Sequence, residues 1–298
     1  MEIVVRQISG LGNQLFQYAA GRYYSKKYGA TMRVVTEPQE RAHSYGHPRP
    51  FLLTKFKITA PSNEITGYDR LLLSKNRILG PILSIMKRAV SVQVIREPWN
   101  DRYLFHRELV VAEGTRTVFL VGYWQVHTLA DAIASELRSE FQLIDAPEGA
   151  NHDVQVRIQR THAPVSLHIR RGDYTHPSEG NVALPLSYYL KSIRTMQEKL
   201  IEPTFFVFSD DIAYAKEHLP RDIDLVFVEH NDSLSAHEDL RLMSLCQHHI
   251  IANSTLSWWG AWLNPYPEKI VIAPKRWRVG GCTETPNLFP TEWVLLDE

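Results

Sequence analysis

From residue 164 onward, short apolar runs alternate with longer amphipathic segments, and this alternation constrains the fold more than any other feature. Apolar runs bounded by turn residues predict strands, and apolar residues at helical spacing predict helices between them. The predicted strands are 164–169, 204–208, 223–228, 249–252 and 270–273, and the predicted helices are 185–200, 212–218, 235–246 and 255–263. Strands that alternate with helices are typical of a parallel sheet covered by helices, so this half is predicted to be α/β.

The N-terminal half begins with the same kind of unit. The predicted strands are 3–8, 31–35 and 118–122, and the predicted helices are 13–28 and 127–141. The first three of these elements along the chain form a βαβ unit, whereas residues 37–67 show no clean period. Turn residues at 145–149 interrupt the pattern, so we predict two domains, 1–150 and 151–298.

The global charge gives no sign of a polyanionic partner. Lys and Arg together number 33, as do Asp and Glu, so the net charge is zero and we expect no nucleic-acid partner. The two cysteines, Cys246 and Cys282, have no metal-ligand spacing and indicate no disulfide framework. We expect Cys246 to be a buried free thiol, and this cysteine usage suits a reducing compartment such as the cytoplasm.

No stretch of the sequence predicts a membrane span or a secretory signal. The N-terminus is a short strand-like run, not a basic region followed by a long apolar one. The longest apolar region, 71–90, is interrupted by four cationic residues and by Gly80-Pro81, so it is too charged to cross a bilayer. We expect a cytoplasmic protein in which this region forms a pair of surface helices. Peripheral contact with the inner face of the membrane is left open.

The sequence His-Ile-Arg-Arg-Gly-Asp-Tyr at 168–174 places charged groups directly after an apolar strand. Burying such charges unpaired would cost several kcal/mol or more. In α/β proteins, polar groups at the carboxyl end of a strand lie where ligands bind. Two adjacent guanidiniums, on Arg170 and Arg171, suit a polyphosphate because each offers a rigid fork of donors. This motif therefore predicts a site for a phosphorylated small-molecule donor.

A second strand ends in Ser209, Asp210 and Asp211, just before a predicted helix. A carboxylate can accept hydrogen bonds from N1–H and N2–H₂ of a guanine, and it can also cap a helix. We expect one aspartate to cap the helix and the other to recognise the base or ribose. A divalent metal site is disfavoured because no further carboxylate cluster lies nearby in the sequence.

Two further motifs lie at helix starts. Asn253, Ser254 and Thr255 follow an apolar run, and because a simple cap needs only one of them, the surplus favours phosphate binding. The tryptophans of 258–262 are too close together for all to face water, so at least two are expected in the core and one could stack on a sugar or base. The sequence Gly-Leu-Gly-Asn-Gln at 10–14 allows close approach of a ligand, or simply a tight turn capped by its asparagine.

Three of these motifs appear together, at 10–18, 168–174 and 253–263, and the chain resembles the bacterial α-1,2-fucosyltransferases of glycosyltransferase family 11. The resemblance implies a GT-B-type α/β fold with two Rossmann-like domains facing a cleft. It implies an N-terminal acceptor-side domain and a C-terminal domain that binds GDP-β-L-fucose. The implied acceptor is a terminal β-galactoside glycan, fucosylated on its 2-hydroxyl with inversion at the fucose anomeric carbon. No cofactor and no metal are implied.

The resemblance also implies roles for individual residues. The implied catalytic residues are Arg170, which stabilises the leaving β-phosphate, and Asn13, which orients the reacting centre from the opposite domain. Asp173 is expected to form an ion pair with one of the two arginines. The implied donor-binding residues are Gly12, His168, Arg171, Asp173, Ser209, Asp210, Asp211, Asn253, Ser254 and Thr255. No residue is marked as the general base, and a dissociative transfer would need little base assistance.

Three other functions remain open on the sequence. The first is a non-catalytic protein that binds a glycan or a nucleotide, although the intact arginines and Asn13 count against it. The second is a transferase that uses another GDP-sugar, such as GDP-mannose, or a protein acceptor. A dinucleotide-dependent oxidoreductase is disfavoured because the full glycine fingerprint and its distal acidic residue are absent.

Overall fold

The computed structural model describes residues 1–38, 43–44, 47–74, 80–97, 109–175, 182–278 and 287–297. The chain divides into two compact units, Met1–Gln142 with Pro286–Leu288 and Leu143–Thr285 with Phe289–Glu298. The division thus falls at residue 142, whereas the sequence predicts residue 150. The helix at Gly149–Arg160 packs within the second unit, so the turn residues before it do not mark the boundary.

The first unit is built on a five-stranded parallel sheet. The strands of this unit are β1 Glu2–Gln7, β2 Thr31–Thr36, β3 His43–Ser44, β4 His47–Pro48, β5 Ser62–Glu64, β6 Val92–Arg96 and β7 Thr117–Val121, and its helices are α1 Leu11–Tyr28, α2 Gly67–Leu73, α3 Gly80–Ala89, α4 His127–Asp131 and α5 Ala134–Glu140. The sheet order is β5-β2-β1-β7-β6, and β3 pairs with β4 as a separate antiparallel ribbon. A 3₁₀ helix spans Leu53–Lys55.

The second unit contains a six-stranded parallel sheet. Its strands are β8 Pro164–Ile169, β9 Thr204–Ser209, β10 Leu225–Val228, β11 His248–Ile250, β12 Val271–Pro274 and β13 Val294–Leu296, and its helices are α6 Gly149–Arg160, α7 Leu186–Lys199, α8 Ile212–His218, α9 Ala236–Leu245 and α10 Thr255–Leu263. A 3₁₀ helix spans Gly172–Thr175. The sheet order is β10-β9-β8-β11-β12-β13, which is the strand order of a Rossmann fold. The predicted α/β class is therefore confirmed.

Helices cover both faces of the second sheet. One face packs against α7 through Tyr188 and Ile193, and the other packs against α6 and α9 through Ile158 and Leu242. Every residue of β12 is buried, which explains why this strand is a continuous apolar run. Cys246 is a buried free thiol, as predicted, whereas Cys282 lies outside the described residues.

Three details differ from the sequence prediction. The predicted helix at 127–141 is two helices, because the backbone of Ile133 leaves the helical region at φ −132° and ψ 34°. Strands β3, β4, β5, β6 and β13 and helix α6 lie in stretches for which no such element is predicted, and β5 is entirely polar and exposed. Trp258, Trp259 and Trp262 are all buried, at 0%, 0% and 3% exposure, so none is open to stack on a sugar or base.

The second sheet has one point at which the strand order reverses, and this switch point lies between β8 and β11. In the first sheet β1 and β7 are neighbours at the centre, and the order does not reverse between them. Ligands of open α/β sheets bind outside the carboxyl ends of the strands at such a point. The sequence motifs at 168–174, 253–263 and 10–18 each follow one of these strands. The topology therefore places the motifs at 168–174 and 253–263 at the ligand-binding edge of the second sheet, and the motif at 10–18 at the carboxyl edge of the first.

Candidate active site

The carboxyl ends of β8 and β9 bring Arg170 next to Asp210. The two strands pair in parallel with Ile169 opposite Ser209, so the residues that follow them lie side by side. Arg170 Nη1 lies 3.0 Å from Asp210 Oδ2, and the backbone N–H of Arg171 donates to Asp210 Oδ1 at 2.8 Å. A carboxylate that accepts both bonds fixes the orientation of the guanidinium.

Gly172 makes this close approach possible. A Cβ atom at residue 172 would lie 2.5 Å from Asp210 Oδ2, which is closer than any non-bonded contact allows. Any larger residue at this position would have to displace the Asp210 carboxylate from Arg170. The glycine of the motif at 168–174 is thus explained by the ion pair and not by an unusual backbone angle.

Arg171 is held by the start of α8. Its Nε lies 3.3 Å from Asp211 Oδ2, and its guanidinium lies 3.5 Å from the centre of the Tyr214 ring. Asp211 Oδ1 accepts a hydrogen bond from the backbone N–H of Tyr214 at 3.1 Å, so Asp211 is the helix cap expected of one of the two aspartates. Ser209 Oγ accepts from the backbone N–H of Asp211 and supports this turn. The Asp173 side chain lies outside the described residues.

His168 connects β8 to α10 beneath these charges. Its Nδ1 lies 2.9 Å from Ser257 Oγ, and the side chain is buried. Burial, and to a smaller extent the nearby Arg170, lower the pKa of His168 to about 4, although Asp210 opposes the shift. The imidazole is therefore neutral at pH 7. Sequence reasoning missed Ser257 because it lies inside a helix, 89 residues along the chain from His168.

Asn253 lies between β11 and α10 and joins three segments. Its Nδ2 donates to the carbonyl oxygens of Val182 and Trp277 at 3.0 and 3.3 Å. The Tyr174 hydroxyl donates to the Asn253 carbonyl at 3.3 Å, and the Arg170 guanidinium lies 5.5 Å from the Tyr174 ring centre. Within the described part of the chain, the buried Oδ1 of Asn253 has no hydrogen-bond partner.

Ser254 occupies the cap position of α10, but its side chain makes no capping hydrogen bond. The first N–H groups of a helix have no partner within the helix and attract anions. Ser254 and Thr255 are both partly exposed, so their hydroxyl groups are accessible beside those N–H groups. This arrangement is suited to binding a phosphate group.

Asn13 and Gly12 lie in the first unit, in the first turn of α1. The cap residue of α1 is Gly10, so Asn13 does not cap the helix. Instead Asn13 Nδ2 donates to Ser9 Oγ at 3.0 Å, and Asn13 Oδ1 accepts from Gln125 Nε2 at 2.7 Å. Gln125 follows β7, which is the neighbour of β1 in the first sheet. The sequence analysis did not select Gln125, although its position shortly after a strand is the pattern that identified the other site residues.

Asp239 is a second residue that sequence reasoning missed. It lies in the first turn of α9, on the carboxyl side of the second sheet, and accepts a hydrogen bond from Asn231 at 2.8 Å. Burial, with smaller contributions from the carboxylates of Glu238 and Asp232, raises the pKa of Asp239 to about 7, although the hydrogen bond from Asn231 opposes the shift. Among the described residues, no three His, Cys, Asp or Glu side chains are grouped so that they could hold a metal ion.

The family model described as Glycosyl transferase family 11 matches residues 3–297. The O-antigen biosynthesis glycosyltransferase WbnK of Escherichia coli is 32% identical and aligns with 96% of this chain and 98% of its own. An α-1,2-colitosyltransferase of Escherichia coli is 31% identical and aligns with 99% of both chains. The structure of Arabidopsis thaliana FUT1, a mutant in complex with GDP, has a TM-score of 0.54 at 13% identity and covers 97% of this chain and 74% of that one. This structural likeness concerns the fold alone, and the GT-B-type class predicted from the sequence is confirmed.

We expect acidification to destabilise the protein partly through His168. The folded protein keeps this imidazole neutral down to about pH 4, whereas the unfolded chain protonates it near the ordinary value of 6.5. The unfolded state therefore binds more protons in this window, so the free energy of unfolding falls as the pH drops from 6.5 towards 4. Urea unfolding of the wild type and of His168→Asn at several pH values measures this contribution, which is expected to reach about 1.4 kcal/mol per pH unit.

The buried histidines His248 and His249 also have lowered pKa values, because burial disfavours their charged forms. Both remain in the His168→Asn variant, so their contributions cancel in the comparison. Identical pH dependence in the two proteins would show that His168 titrates normally in the folded state.

Proposed function

This chain is a member of glycosyl transferase family 11, and on that premise we propose that it transfers L-fucose from GDP-β-L-fucose to the 2-hydroxyl of a terminal β-galactoside. The transfer inverts the configuration at the fucose anomeric carbon. The observation that carries the proposal is the ion-paired Arg170 beside Arg171 at the switch point of the second sheet. The motif resemblance to α-1,2-fucosyltransferases and the α-1,2 linkage in the name of one relative support the linkage.

Arg170 is proposed to stabilise the leaving group. When the bond to the fucose anomeric carbon breaks, negative charge grows on the β-phosphate of GDP, and a fixed guanidinium stabilises that charge without reorganisation. Asp210 accepts from Arg170 through one nitrogen, and a guanidinium carries five N–H donors, so an ion-paired arginine can still bind phosphate. Ser254 and Thr255 are proposed to bind the pyrophosphate at the start of α10, and Arg171 and Asn253 to support that site.

The proposed donor site includes a guanine subsite near His168. The neutral imidazole can accept a hydrogen bond at one nitrogen and donate at the other. One of Asp210 and Asp211 is expected to contact the guanine, and each of them forms an ion pair with an arginine in the structure. Asp239, which lies on the same side of the sheet, therefore joins them as a candidate. Variants of all three carboxylates, compared by KM for GDP-fucose, would assign this role.

The acceptor is proposed to react near Asn13 and Gly12 of the first unit. Asn13 is fixed by its hydrogen bonds to Ser9 and Gln125, which suits a residue that orients a sugar hydroxyl. In a dissociative transfer the acceptor proton leaves after the glycosidic bond has largely broken, so a weak base suffices. The O-antigen role of one relative favours a bacterial surface glycan as acceptor.

We propose that the reaction needs no divalent metal and occurs in the cytoplasm. The paired arginines supply positive charge where a metal would otherwise neutralise the pyrophosphate. The two-cysteine composition supports a reducing compartment.

A second donor is favoured by one specific observation, the similarity to an α-1,2-colitosyltransferase. Colitose is L-fucose without its 3-hydroxyl, so the two donors differ by one polar group. A site whose buried groups hydrogen-bond that hydroxyl would reject the deoxy sugar by about 10⁴-fold or more. A site that leaves the position open would accept both sugars.

The test is a turnover assay with GDP-L-fucose, GDP-colitose and GDP-mannose, each with EDTA and with or without lactose. We expect lactose-dependent release of GDP from GDP-fucose and a new α-1,2 linkage. Faster turnover of GDP-colitose would assign the second donor. Slow donor hydrolysis without a lactose product would redirect the search to other glycans or to a protein acceptor. Binding of GDP without turnover of any donor would make this a binding protein and contradict the proposal.

Removal of Arg170 should mainly lower kcat. The leaving-group charge grows in the transition state, and loss of one such electrostatic contact typically costs about 3–4 kcal/mol, or about 10²–10³-fold. Steady-state kinetics of Arg170→Ala with GDP-fucose provide the measurement, and the exposed Arg157→Ala in α6 is the matched control. Near-normal turnover of Arg170→Ala would eliminate the assignment.

Gly172→Ala should lower kcat through the same arginine. The added methyl group would displace Asp210 and remove a charge-assisted hydrogen bond from Arg170, worth about 1.5–3 kcal/mol or about 10- to 100-fold. Gly67→Ala is the control, because a Cβ at residue 67 meets no atom within 4 Å. Equal kcat values in the two variants would show that the Asp210 contact does not orient Arg170 for catalysis.

A further inference from the structure

Helices α2 and α3 carry an apolar surface that the proposed reaction does not use. The described residues include twelve exposed large apolar side chains, and five of them lie between residues 68 and 90. These are Tyr68, Leu71, Ile85, Met86 and Val90, with exposures of 52%, 39%, 71%, 36% and 43%. Single exposed apolar residues are ordinary, but three at the end of α3 and two on the contacting helix α2 are typical of an interaction site. We call this group the apolar patch.

The geometry of α3 places apolar and cationic side chains together. Ile85 and Ala89 are four residues apart and lie on one face, with Arg88 beside them. Met86 and Val90 form the next row around the helix. All of these side chains are exposed, so the outer surface of α3 is mainly apolar and includes the cationic Arg88.

The charge of this region is strongly positive although the whole chain is neutral. Between residues 67 and 96 the sequence contains six cationic residues and a single acidic one, Asp69. Asp69 is buried, accepts hydrogen bonds from Thr66 and lies 3.3 Å from Arg33, so its charge is not presented to solvent. The cationic residues are Arg70, Lys75, Arg77, Lys87, Arg88 and Arg96, of which Lys75 and Arg77 lie outside the described residues.

Several of these cations are crowded at the carboxyl edge of the first sheet. Burial and the proximity of Arg6 lower the pKa of Arg96, while burial and Arg96 lower the pKa of Lys87. Glu37 is shared between Arg6 and Arg70, at 3.1 and 2.6 Å. Mutual repulsion among these groups would be relieved by anions bound at this edge.

We propose that α2, α3 and the end of β6 form a docking surface for an anionic phospholipid bilayer. The apolar patch would enter the headgroup layer while Lys87, Arg88 and Arg96 contact lipid phosphates. A helix that lies in the interface combines these two features, an apolar face and flanking cations. No helix among the described residues is both long and apolar enough to cross a bilayer. A nucleic acid would be attracted by the cations but would gain nothing from the exposed Ile85 and Val90, so lipid fits both features better.

The test is sedimentation of the full chain with large vesicles of equal parts phosphatidylglycerol and phosphatidylcholine, compared with pure phosphatidylcholine. We expect binding to the anionic vesicles that weakens as salt is raised, and much weaker binding to the neutral ones. Each cation near the surface contributes about fivefold to the partition coefficient, so Lys87→Gln with Arg88→Gln should lower it about 30-fold. Ile85→Ser should lower it about tenfold or more, because a buried isoleucine loses its transfer free energy.

Matched variants separate docking from general effects of charge or hydrophobicity. Lys87 and Arg88 lie in the last turn of α3, and Arg157 and Arg160 lie in the last turn of α6. Arg157→Gln with Arg160→Gln removes the same charge from the same helical position and should leave binding unchanged. Ile201, which is 78% exposed in the second unit, provides the apolar control as Ile201→Ser. Urea unfolding of each variant verifies that it folds.

Three outcomes would overturn the proposal. They are the absence of binding to anionic vesicles, equal binding to both vesicle types, and equal effects of the α3 variants and their controls. Size-exclusion chromatography adds a further check. A dimer that Ile85→Ser dissociates would assign the apolar patch to contact between two copies of the chain.

Discussion

Arg170 and Asp210 follow the last residues of two neighbouring buried strands, and their ion pair joins the charged ends of those strands. The other features of the candidate donor site follow from this pair. Asp210 also accepts from the backbone of Arg171, which turns the chain away from the sheet, and Gly172 leaves room for the carboxylate. The guanidinium beside His168 helps to keep that imidazole neutral. The ion pair between Arg170 and Asp210 thus determines the positions and the charge states of the groups around it.

The sequence predicts the second unit better than the first, and the reason is physical. Strands such as β12 are buried on every residue and apolar throughout, so they stand out against the helices. Strand β5 lacks this pattern, since all three of its residues are exposed at the edge of its sheet. The separation of α4 from α5 at Ile133 cannot be detected from the sequence either, because the amphipathic pattern continues through that residue.

The sequence identifies the site residues that directly follow a strand. It does not identify those that reach the site only through the packing of helices against the sheet. Arg170, Asp210 and Asn253 come just after strands, where polar residues have no structural reason to be. Ser257 and Asp239 lie within helices whose patterns they do not disturb, and only the packing of α10 and α9 gives them partners. Pairs such as Asn13 and Gln125, 112 residues apart, depend on which strands are neighbours and not on any local spacing.

The return of the chain to the first unit near its end has a consequence for how the protein is made. Residues Pro286–Leu288 belong to that unit, where the carbonyl of Asn287 accepts from the backbone N–H of His127, and the chain then ends in the second unit with β13. During translation the N-terminal unit therefore cannot be completed until residue 288 has left the ribosome. Neither half corresponds to one continuous segment, so a gene cut at the boundary would encode two incomplete units.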